Sequence, residues 1–207
     1  MDFLFDGPED APTTIVLAHG AGAAMDTPFM AFFAEGLAAW GFRVARFEFP
    51  YMAERRISGK KAGPNRPIVL LETWQNAIDA LGGPDRLVIG GKSMGGRIAS
   101  MIADEAGVRG LLCLGYPFHP PGKPEKRRVE HLQSLTTPAL FVQGTRDPLG
   151  ARNEVQTYTM STAIRLHWLE DGDHGFKPRK MSGRTEGLNL SEGLEAAVNF
   201  VSSLGTS

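Results

Sequence analysis

Short apolar runs recur along the chain and alternate with segments long enough to form helices. Runs that are apolar at nearly every position are typical of strands buried on both faces, which occur in parallel sheets covered by helices. The alternation therefore predicts an α/β fold with a mostly parallel central sheet, right-handed crossovers and helices on both faces. The predicted strands lie at Ile15 to Ala18, Phe42 to Phe49, Leu87 to Ile89, Leu111 to Leu114, Leu140 to Val142 and Ile164 to Leu169.

Four segments carry the pattern of helices. The clearest begins at Pro67, where apolar residues recur every three or four positions until Gly82 and Gly83 end the pattern. Ser191 is the predicted N-cap of the last helix, since a serine side chain can accept a hydrogen bond from a free N–H of the first turn. The sequence shows no internal repeat or linker, so residues 1–207 are expected to form a single domain. The four predicted helices cover Phe29 to Trp40, a segment from Pro67, Met94 to about Ala106, and Ser191 to Leu204.

Small and polar residues follow the predicted strands at the edge of the sheet where ligands bind. In open parallel sheets this edge is formed by the carboxyl ends of the strands. Ser93 follows the run that ends at Ile89, Asp147 follows the run that ends at Val142, and His174 follows the last run. A serine, an aspartate and a histidine are therefore expected to lie together at one edge.

The segment Gly91-Lys92-Ser93-Met94-Gly95 has the G-x-S-x-G pattern of a nucleophile elbow between a strand and a helix. A serine hydroxyl attacks a carbonyl only when a base removes its proton, and the base must be oriented by a third group. We assign these roles to His174 and Asp147, because the chain order Ser, Asp, His is the one expected for this pattern. Asp171 and Asp173 flank the histidine and are disfavoured, since sequence neighbours reach its inner ring nitrogen less readily.

The backbone N–H groups of Ala21 and Met94 are the predicted oxyanion donors. Ala21 lies in a loop of small residues after the first strand, and Met94 begins a helix whose first N–H groups are free. His19 precedes this loop and is expected to shape it rather than act as a second base. The candidate substrate-binding residues are Lys92, Tyr51 and His119.

Other kinds of site find no support in the sequence. A phosphate-binding loop ending in Gly91-Lys92-Ser93 would need glycine where Arg86 stands, and no pattern of paired metal ligands occurs. We therefore expect no cofactor and no metal. The formal net charge is −1, which gives no reason to expect nucleic acid as a partner.

Composition and cysteine content favour a cytoplasmic protein. Cys113 is the one cysteine and lies within an apolar run, so we expect a core residue and no internal disulfide. The first residues lack the basic and apolar regions of a secretory signal, and no apolar stretch is long enough to span a bilayer. We expect no membrane partner, and the oligomeric state is not encoded in any recognisable pattern.

With the elbow around Ser93 and the order Ser, Asp, His, nearly the whole chain resembles the α/β-hydrolase superfamily. Three further segments resemble bacterial hydrolase-like proteins related to the hydrolase-like domain of a chromatin-complex regulatory subunit and to a testis-expressed homologue. This resemblance implies the α/β-hydrolase fold and the triad, implies little about the substrate, and includes relatives that act as scaffolds. The segments are Gly115 to Lys126, Gln143 to Pro148 and Asp171 to His174.

The residues together predict a serine hydrolase that cleaves a carboxylic ester or thioester through an acyl-enzyme. An amidase would use the same groups, and a non-catalytic protein-binding module on the same fold is the alternative from a different class. Cap domains in this superfamily usually follow the strand that ends here at Leu114, where only Tyr116 to about Thr137 is available. We therefore expect no cap domain and an open site for a small or extended substrate.

Basic residues are concentrated in three loops that follow predicted strand ends. This distribution yields the hypothesis that the rim of the site steers an anionic substrate or partner toward Ser93. The alternative is that these side chains only solvate long loops. The rim residues are Arg55, Arg56, Lys60, Lys61 and Arg66 in the first loop, Lys123, Lys126, Arg127 and Arg128 in the second, and Lys177, Arg179, Lys180 and Arg184 in the third.

Overall fold

A seven-stranded sheet forms the centre of the protein in the computed structural model, which describes residues 1–205. Its strands are β1 (Phe3–Asp6), β2 (Thr14–Ala18), β3 (Arg43–Phe47), β4 (Leu87–Lys92), β5 (Gly110–Leu114), β6 (Ala139–Gly144) and β7 (Ile164–Leu169). Their spatial order is β1-β3-β2-β4-β5-β6-β7, and every neighbouring pair is parallel except β1 with β3. The helices are α1 (Pro28–Ala39), α2 (Pro50–Ser58), α3 (Pro67–Ala80), α4 (Met94–Ala106), α5 (Arg152–Val155) and α6 (Glu186–Leu204).

Helices cover both faces of the sheet and create two cores. Alternate residues of β2 show the division: Val16 packs in the core that contains α3 and α4, whereas Ile15 and Leu17 pack in the core that contains α1 and α6. The central strands β2, β4, β5 and β6 are buried on both faces and are apolar at nearly every position, as the sequence pattern predicts. The structure thus has the predicted α/β-hydrolase architecture.

The edge strand β1 and the helices α2 and α5 were not predicted from the sequence. The edge strand β1 pairs antiparallel with β3, so that Phe3 faces Phe47 in register. The apolar run predicted as one strand to Phe49 ends earlier, at Phe47, because Pro50 begins α2. Proline fixes φ and lacks an N–H, which suits the first position of a helix and not a central strand.

The predicted start of the last helix is wrong. Ser191 lies inside α6, and the helix begins five residues earlier, at Glu186. Its N-cap is Thr185, whose side-chain oxygen accepts a hydrogen bond from the N–H of Leu188 at 3.2 Å. The cap chemistry is the predicted one at a different residue.

No lid covers the carboxyl ends of the strands in the described part of the chain. The segment between β5 and β6 contains a single short 3-10 turn, Glu130–Gln133, so this edge of the sheet stays open. Within residues 1–205, each helix is too short or too polar to cross a bilayer.

Candidate active site

Ser93 stands between the end of β4 and the start of α4, with φ 52° and ψ −115°. A positive φ is unfavourable for a residue with a Cβ, and such backbone strain is concentrated at functional sites. The two glycines of the pattern allow this turn. A Cβ on Gly91 would lie 2.0 Å from the carbonyl oxygen of Ala18, and one on Gly95 would lie 2.4 Å from the same oxygen. Both glycines are therefore required because β4 and α4 approach the end of β2 directly.

The structure brings Ser93, His174 and Asp147 into one chain of hydrogen bonds. His174 Nε2 lies 3.0 Å from Ser93 Oγ, and His174 Nδ1 lies 2.8 Å from Asp147 Oδ2. Since an ionised carboxylate only accepts, Nδ1 carries the proton and Nε2 accepts from the serine hydroxyl. This arrangement can draw the proton from Ser93 and stabilise the resulting imidazolium.

Asp147 is completely buried and each of its carboxylate oxygens has a partner. In addition to His174, Oδ2 accepts from Gln143 Nε2 at 2.9 Å, and Oδ1 accepts from the N–H of Leu149 at 2.8 Å. Gln143 is also fully buried, and its Oε1 accepts from the N–H of Tyr116 at 2.7 Å. Gln143 was not predicted to have a role. The one feature of the sequence that could have identified it is an amide side chain near the end of an otherwise apolar strand.

The two acids beside His174 in the sequence have other partners. The guanidinium and N–H of Arg179 hold the pKa of Asp171 at about 2, well below its usual range. Asp173 Oδ1 accepts from backbone N–H groups two and four residues further along, at 2.8 and 2.9 Å. The acid that contacts His174 Nδ1 is therefore Asp147.

The loop after β2 lies beside Ser93, where a Cβ on Gly20 would be 3.6 Å from Ser93 Cβ. The loop is held by His19, which is fully buried. The N–H of Phe49 donates to His19 Nε2 at 3.1 Å, so Nδ1 carries the proton and donates to the carbonyl of Gly20 at 2.6 Å. Burial lowers the pKa of His19 and so favours this neutral ring. His19 shapes the loop, as predicted.

The two predicted oxyanion donors lie on the segments that flank Ser93. Met94 is the first residue of α4, where N–H groups have no acceptor within the helix and the helix dipole favours negative charge. Ala21 is exposed, and within residues 1–205 its N–H donates no hydrogen bond. Within the described residues, neither N–H group has a hydrogen-bond acceptor.

Tyr51 supports this loop instead of facing a substrate, which corrects its predicted role. Its side chain is 3% exposed, and its hydroxyl donates to the carbonyl of Ala21 at 2.9 Å and lies 3.5 Å from that of Gly20. Burial raises the pKa of Tyr51 to about 12, so the hydroxyl keeps its proton and remains a donor. The contact fixes the peptide unit that follows Ala21.

Lys92 is directed toward His174. Its ammonium donates to the carbonyl oxygen of His174 and lies 4.9 Å from the ring centroid of Phe29 and 5.2 Å from that of Phe176. Burial lowers the pKa of Lys92 to about 8, against the opposing effect of the nearby Asp147 carboxylate. The predicted substrate-binding residue thus secures the backbone of His174.

His119 is not available to a substrate in this structure, contrary to expectation. It is 4% exposed, and both of its ring nitrogens have internal partners. Nδ1 lies 2.9 Å from the carbonyl of Pro120, and Nε2 lies 3.3 Å from a carboxylate oxygen of Glu154. His119 therefore stabilises the loop that follows β5 and does not reach the open edge of the sheet.

Several basic residues of the predicted rim are neutralised by acids. Ion pairing reduces the field that these side chains project into solvent, so steering by the rim is weaker than the number of cations suggests. The paired residues are Arg56 with Glu48 and Asp26, Lys177 with Glu186, Arg179 with Asp171, and Arg184 with Glu192.

The described residues contain no group of three or more His, Cys, Asp or Glu side chains arranged to hold a metal ion. Cys113 is buried and hydrogen-bonds weakly to the carbonyl of Gly96, at 3.5 Å from Sγ. Burial raises the pKa of its thiol well above the usual value, so Cys113 is a core residue and not a ligand or nucleophile.

The chain matches known proteins along nearly its whole length. Residues 11–202 match the model of a family described as alpha/beta hydrolase domain. A dienelactone hydrolase from Anabaena variabilis superposes with a TM-score of 0.73 at 22% identity, covering 97% of this chain and 90% of that one. A lidless α/β serine hydrolase from Xanthomonas campestris gives 0.66 at 21%, covering 95% and 88%. A monoacylglycerol lipase from Paleococcus ferrophilus gives 0.73 at 14%, covering 98% of both chains. At these identities the likeness establishes the fold.

Proposed function

Because this chain belongs to the α/β-hydrolase domain family, we propose that it is a serine hydrolase that cleaves a carboxylic ester or thioester of a small substrate, anionic substrates included. The observation that carries the proposal is the hydrogen-bond chain from Ser93 through His174 to the buried Asp147. The strained backbone of Ser93 adds support, since such strain is concentrated at functional sites. Hydrolases and a lipase among proteins of the same fold agree with this activity.

In the proposed acylation, Ser93 Oγ attacks the substrate carbonyl carbon while His174 Nε2 takes the hydroxyl proton. Asp147 keeps the ring in the required tautomer and stabilises the imidazolium. The N–H groups of Ala21 and Met94 bind the oxyanion, and His174 then gives its proton to the leaving alcohol or thiol.

Water completes the cycle. His174 Nε2 takes a proton from water as the oxygen attacks the acyl carbon, and the same oxyanion donors act again. When the bond to Ser93 Oγ breaks, His174 returns the proton to the serine, and the carboxylic acid product leaves. The open edge above the sheet supports a small or extended substrate, because residues 1–205 form no lid that would surround a long chain.

The proposal includes residues 1–207 as one catalytic domain that acts in the cytoplasm on a small molecule, without nucleic acid or membrane as a partner. The buried, unbridged Cys113 agrees with a reducing compartment. Within the family, we place the chain near the bacterial hydrolase-like group described above, on the three segments that resemble it.

Reaction with a fluorophosphonate probe tests the nucleophile without knowledge of the substrate. We expect intact-mass analysis to show one adduct on the wild type and none on Ser93→Ala. Ser100→Ala is the matched control. Ser100 lies on α4, the helix that follows Ser93, and its hydroxyl also lies close to a histidine nitrogen, 2.8 Å from His131 Nε2. That variant should still gain one adduct. A folded wild type without an adduct would overturn the proposal and favour a protein-binding module.

A further inference from the structure

Arg55 and Arg56 are consecutive residues of α2 with opposite surroundings. Arg56 donates to Glu48 from Nε at 3.1 Å and from Nη2 at 2.7 Å, and to Asp26 from Nη1 at 2.9 Å. Arg55 is only partly exposed, yet within residues 1–205 its guanidinium makes no hydrogen bond or ion pair. A guanidinium offers five N–H donors in a planar fork, which suits a carboxylate. Arg55 therefore retains a free donor set that Arg56 has already used.

An apolar cavity of about 260 Å³ lies next to the reaction centre, although neither Ser93 nor His174 lines it. Two glycines line this cavity. Gly20 precedes Ala21 in the segment of residues 20–24, which is called the oxyanion loop here, and Gly175 follows His174. The side chains of Phe29 and Met30 form much of the remaining wall. Lys92 also borders this cavity, but its ammonium is committed to the carbonyl of His174. The cavity is suited to a short aliphatic or other apolar group.

A second cavity, of about 390 Å³, is lined by Arg55, Arg56 and Glu48 and is called the arginine cavity here. The Glu48 carboxylate is already paired with Arg56, which leaves Arg55 as the unpaired charge among the described residues that line this cavity. The arginine cavity shares Ala23, Ala24 and Thr27 with the apolar cavity, so the two are neighbours along the loop that follows β2. A substrate chain that leaves the apolar cavity along this loop reaches the arginine cavity next.

Arg55 and Gly22, a residue of the loop that follows β2, line the same cavity. Tyr51 and Arg55 are four residues apart in α2 and lie on the same side of the helix, with about 5–6 Å between their Cβ atoms. The hydroxyl of Tyr51 contacts the carbonyl of Ala21 at 2.9 Å. Arg55 therefore lies about one helical turn beyond a residue that touches the predicted oxyanion donor.

We infer that Arg55 anchors an anionic subsite, and that the substrate is an ester or thioester in which a short apolar chain, on either half of the molecule, joins the reacting ester or thioester group to a carboxylate. The chain occupies the apolar cavity and the carboxylate binds the Arg55 guanidinium in the arginine cavity. This inference rests on the proposed serine hydrolase function and names a substrate class for the same site.

Paired substrates test the subsite. We would measure kcat/KM for 4-nitrophenyl half-esters of dicarboxylic acids from glutaric to suberic acid, each against the ester with a terminal amide in place of the carboxylate. A second series would carry the carboxylate on the alcohol half, as acetate esters of hydroxy acids. The wild type should favour the carboxylate over the amide in one of the series, most strongly at one chain length.

Variants then assign the preference to Arg55. We expect Arg55→Gln to reduce the carboxylate preference roughly 10-fold or more while rates on the terminal amides stay nearly constant. Lys60→Gln is the matched control, since it removes the same charge just beyond the end of α2 and lies outside both cavities. It should change the preference by about two-fold at most. A preference that is absent in the wild type, or that survives in Arg55→Gln, overturns the inference.

Failure of the catalytic proposal has a different signature, because no ester would then turn over and Ser93 would not react with the fluorophosphonate. Binding to the Ser93→Ala protein remains a test of the subsite in either case. Titration calorimetry with monoethyl adipate and with 6-acetoxyhexanoate, each against its terminal amide, should show tighter binding of a carboxylate. Equal binding of both pairs, or equal carboxylate binding after Arg55→Gln is added, overturns the inference.

Discussion

The two sides of the reaction centre are held in different ways. On the acid–base side, Asp147 and His174 are fixed by side-chain hydrogen bonds, and the buried amide of Gln143 extends the network inward. On the oxyanion side, residues 20–24 are all glycine and alanine, and two side chains from outside the segment hold their main chain: His19 at the carbonyl of Gly20 and Tyr51 at that of Ala21.

This difference sets how each side responds to change. A buried carboxylate that loses a partner keeps its desolvation cost, so damage on the acid–base side is large. A main-chain loop that loses one supporting hydrogen bond is still held by its other contacts. The loss of activity after a substitution on the oxyanion side should therefore be smaller. The expected effects of substitution therefore fall from the first side to the second.

The largest effect is expected for Asp147→Asn. The amide can present an N–H to His174 Nδ1, which favours the wrong tautomer and leaves Nε2 unable to accept the proton of Ser93. We expect kcat on an activated ester to fall about 10⁴-fold. Asp104→Asn is the control, since this carboxylate accepts from Thr137 away from the site, and kcat should stay within about two-fold. A loss below 10-fold for Asp147→Asn would mean that another group orients the histidine.

Lys92→Met should give an intermediate effect on rate and an opposite effect on stability. Without the ammonium, the carbonyl of His174 loses its donor and the ring is less well placed, so we expect kcat to fall about 10-fold with KM nearly unchanged. Removal of a partly buried charge should raise the free energy of unfolding at pH 7. Steady-state kinetics and urea unfolding measure the two effects.

The stability difference should depend on pH in a defined direction. The pKa of Lys92 is lowered from 10.5 to about 8 in the folded protein, so unfolding takes up a proton between these values. Relative to Lys92→Met, the wild type should therefore gain stability from pH 8 to about 10.5, by about 1–3 kcal/mol. Below pH 8 the difference should be constant. A difference that is flat or falls across the window would show that the ammonium is well solvated.

The smallest effect is expected for Tyr51→Phe, which removes the hydroxyl that contacts Ala21. We expect kcat to fall about three- to ten-fold and the free energy of unfolding to fall by about 1 kcal/mol. Tyr158→Phe removes a hydroxyl that bonds to Glu154 outside the site and should change stability without changing kcat. If Tyr51→Phe lowered kcat as much as Asp147→Asn, the contrast between the two sides would be wrong.

The acid–base side was accessible from the sequence because its signals are local. The spacing of Gly91 and Gly95 around Ser93 records a steric requirement, and strand ends indicate where Asp147 and His174 lie. The support from Tyr51 was not accessible, since its contact with Ala21 joins segments 30 residues apart and depends on the unpredicted helix α2.

The start of α6 shows how tertiary contacts override local preference. Serine is a favourable N-cap residue, so the sequence favoured a start at Ser191, and the earlier Gly187 and Asn189 are poor helix formers. In the structure, Asn189 is fully buried and its amide donates to the carbonyl of Phe176 at 2.8 Å. This contact stabilises Asn189 within the helix. It cannot be read from the sequence around Asn189, because Phe176 lies outside the helix.

In the oxyanion loop, the main chain carries the proposed chemical role, whereas the small side chains are free to vary. Ala21, Gly22 and Ala23 are exposed, and a Cβ added to Gly22 would meet no atom within 4 Å. A larger side chain can therefore appear at Gly22 without displacing the neighbouring main chain. Under the proposed function, descendants of this sequence could change specificity by single substitutions, and a library randomised at these three positions is the natural start for altering the substrate range.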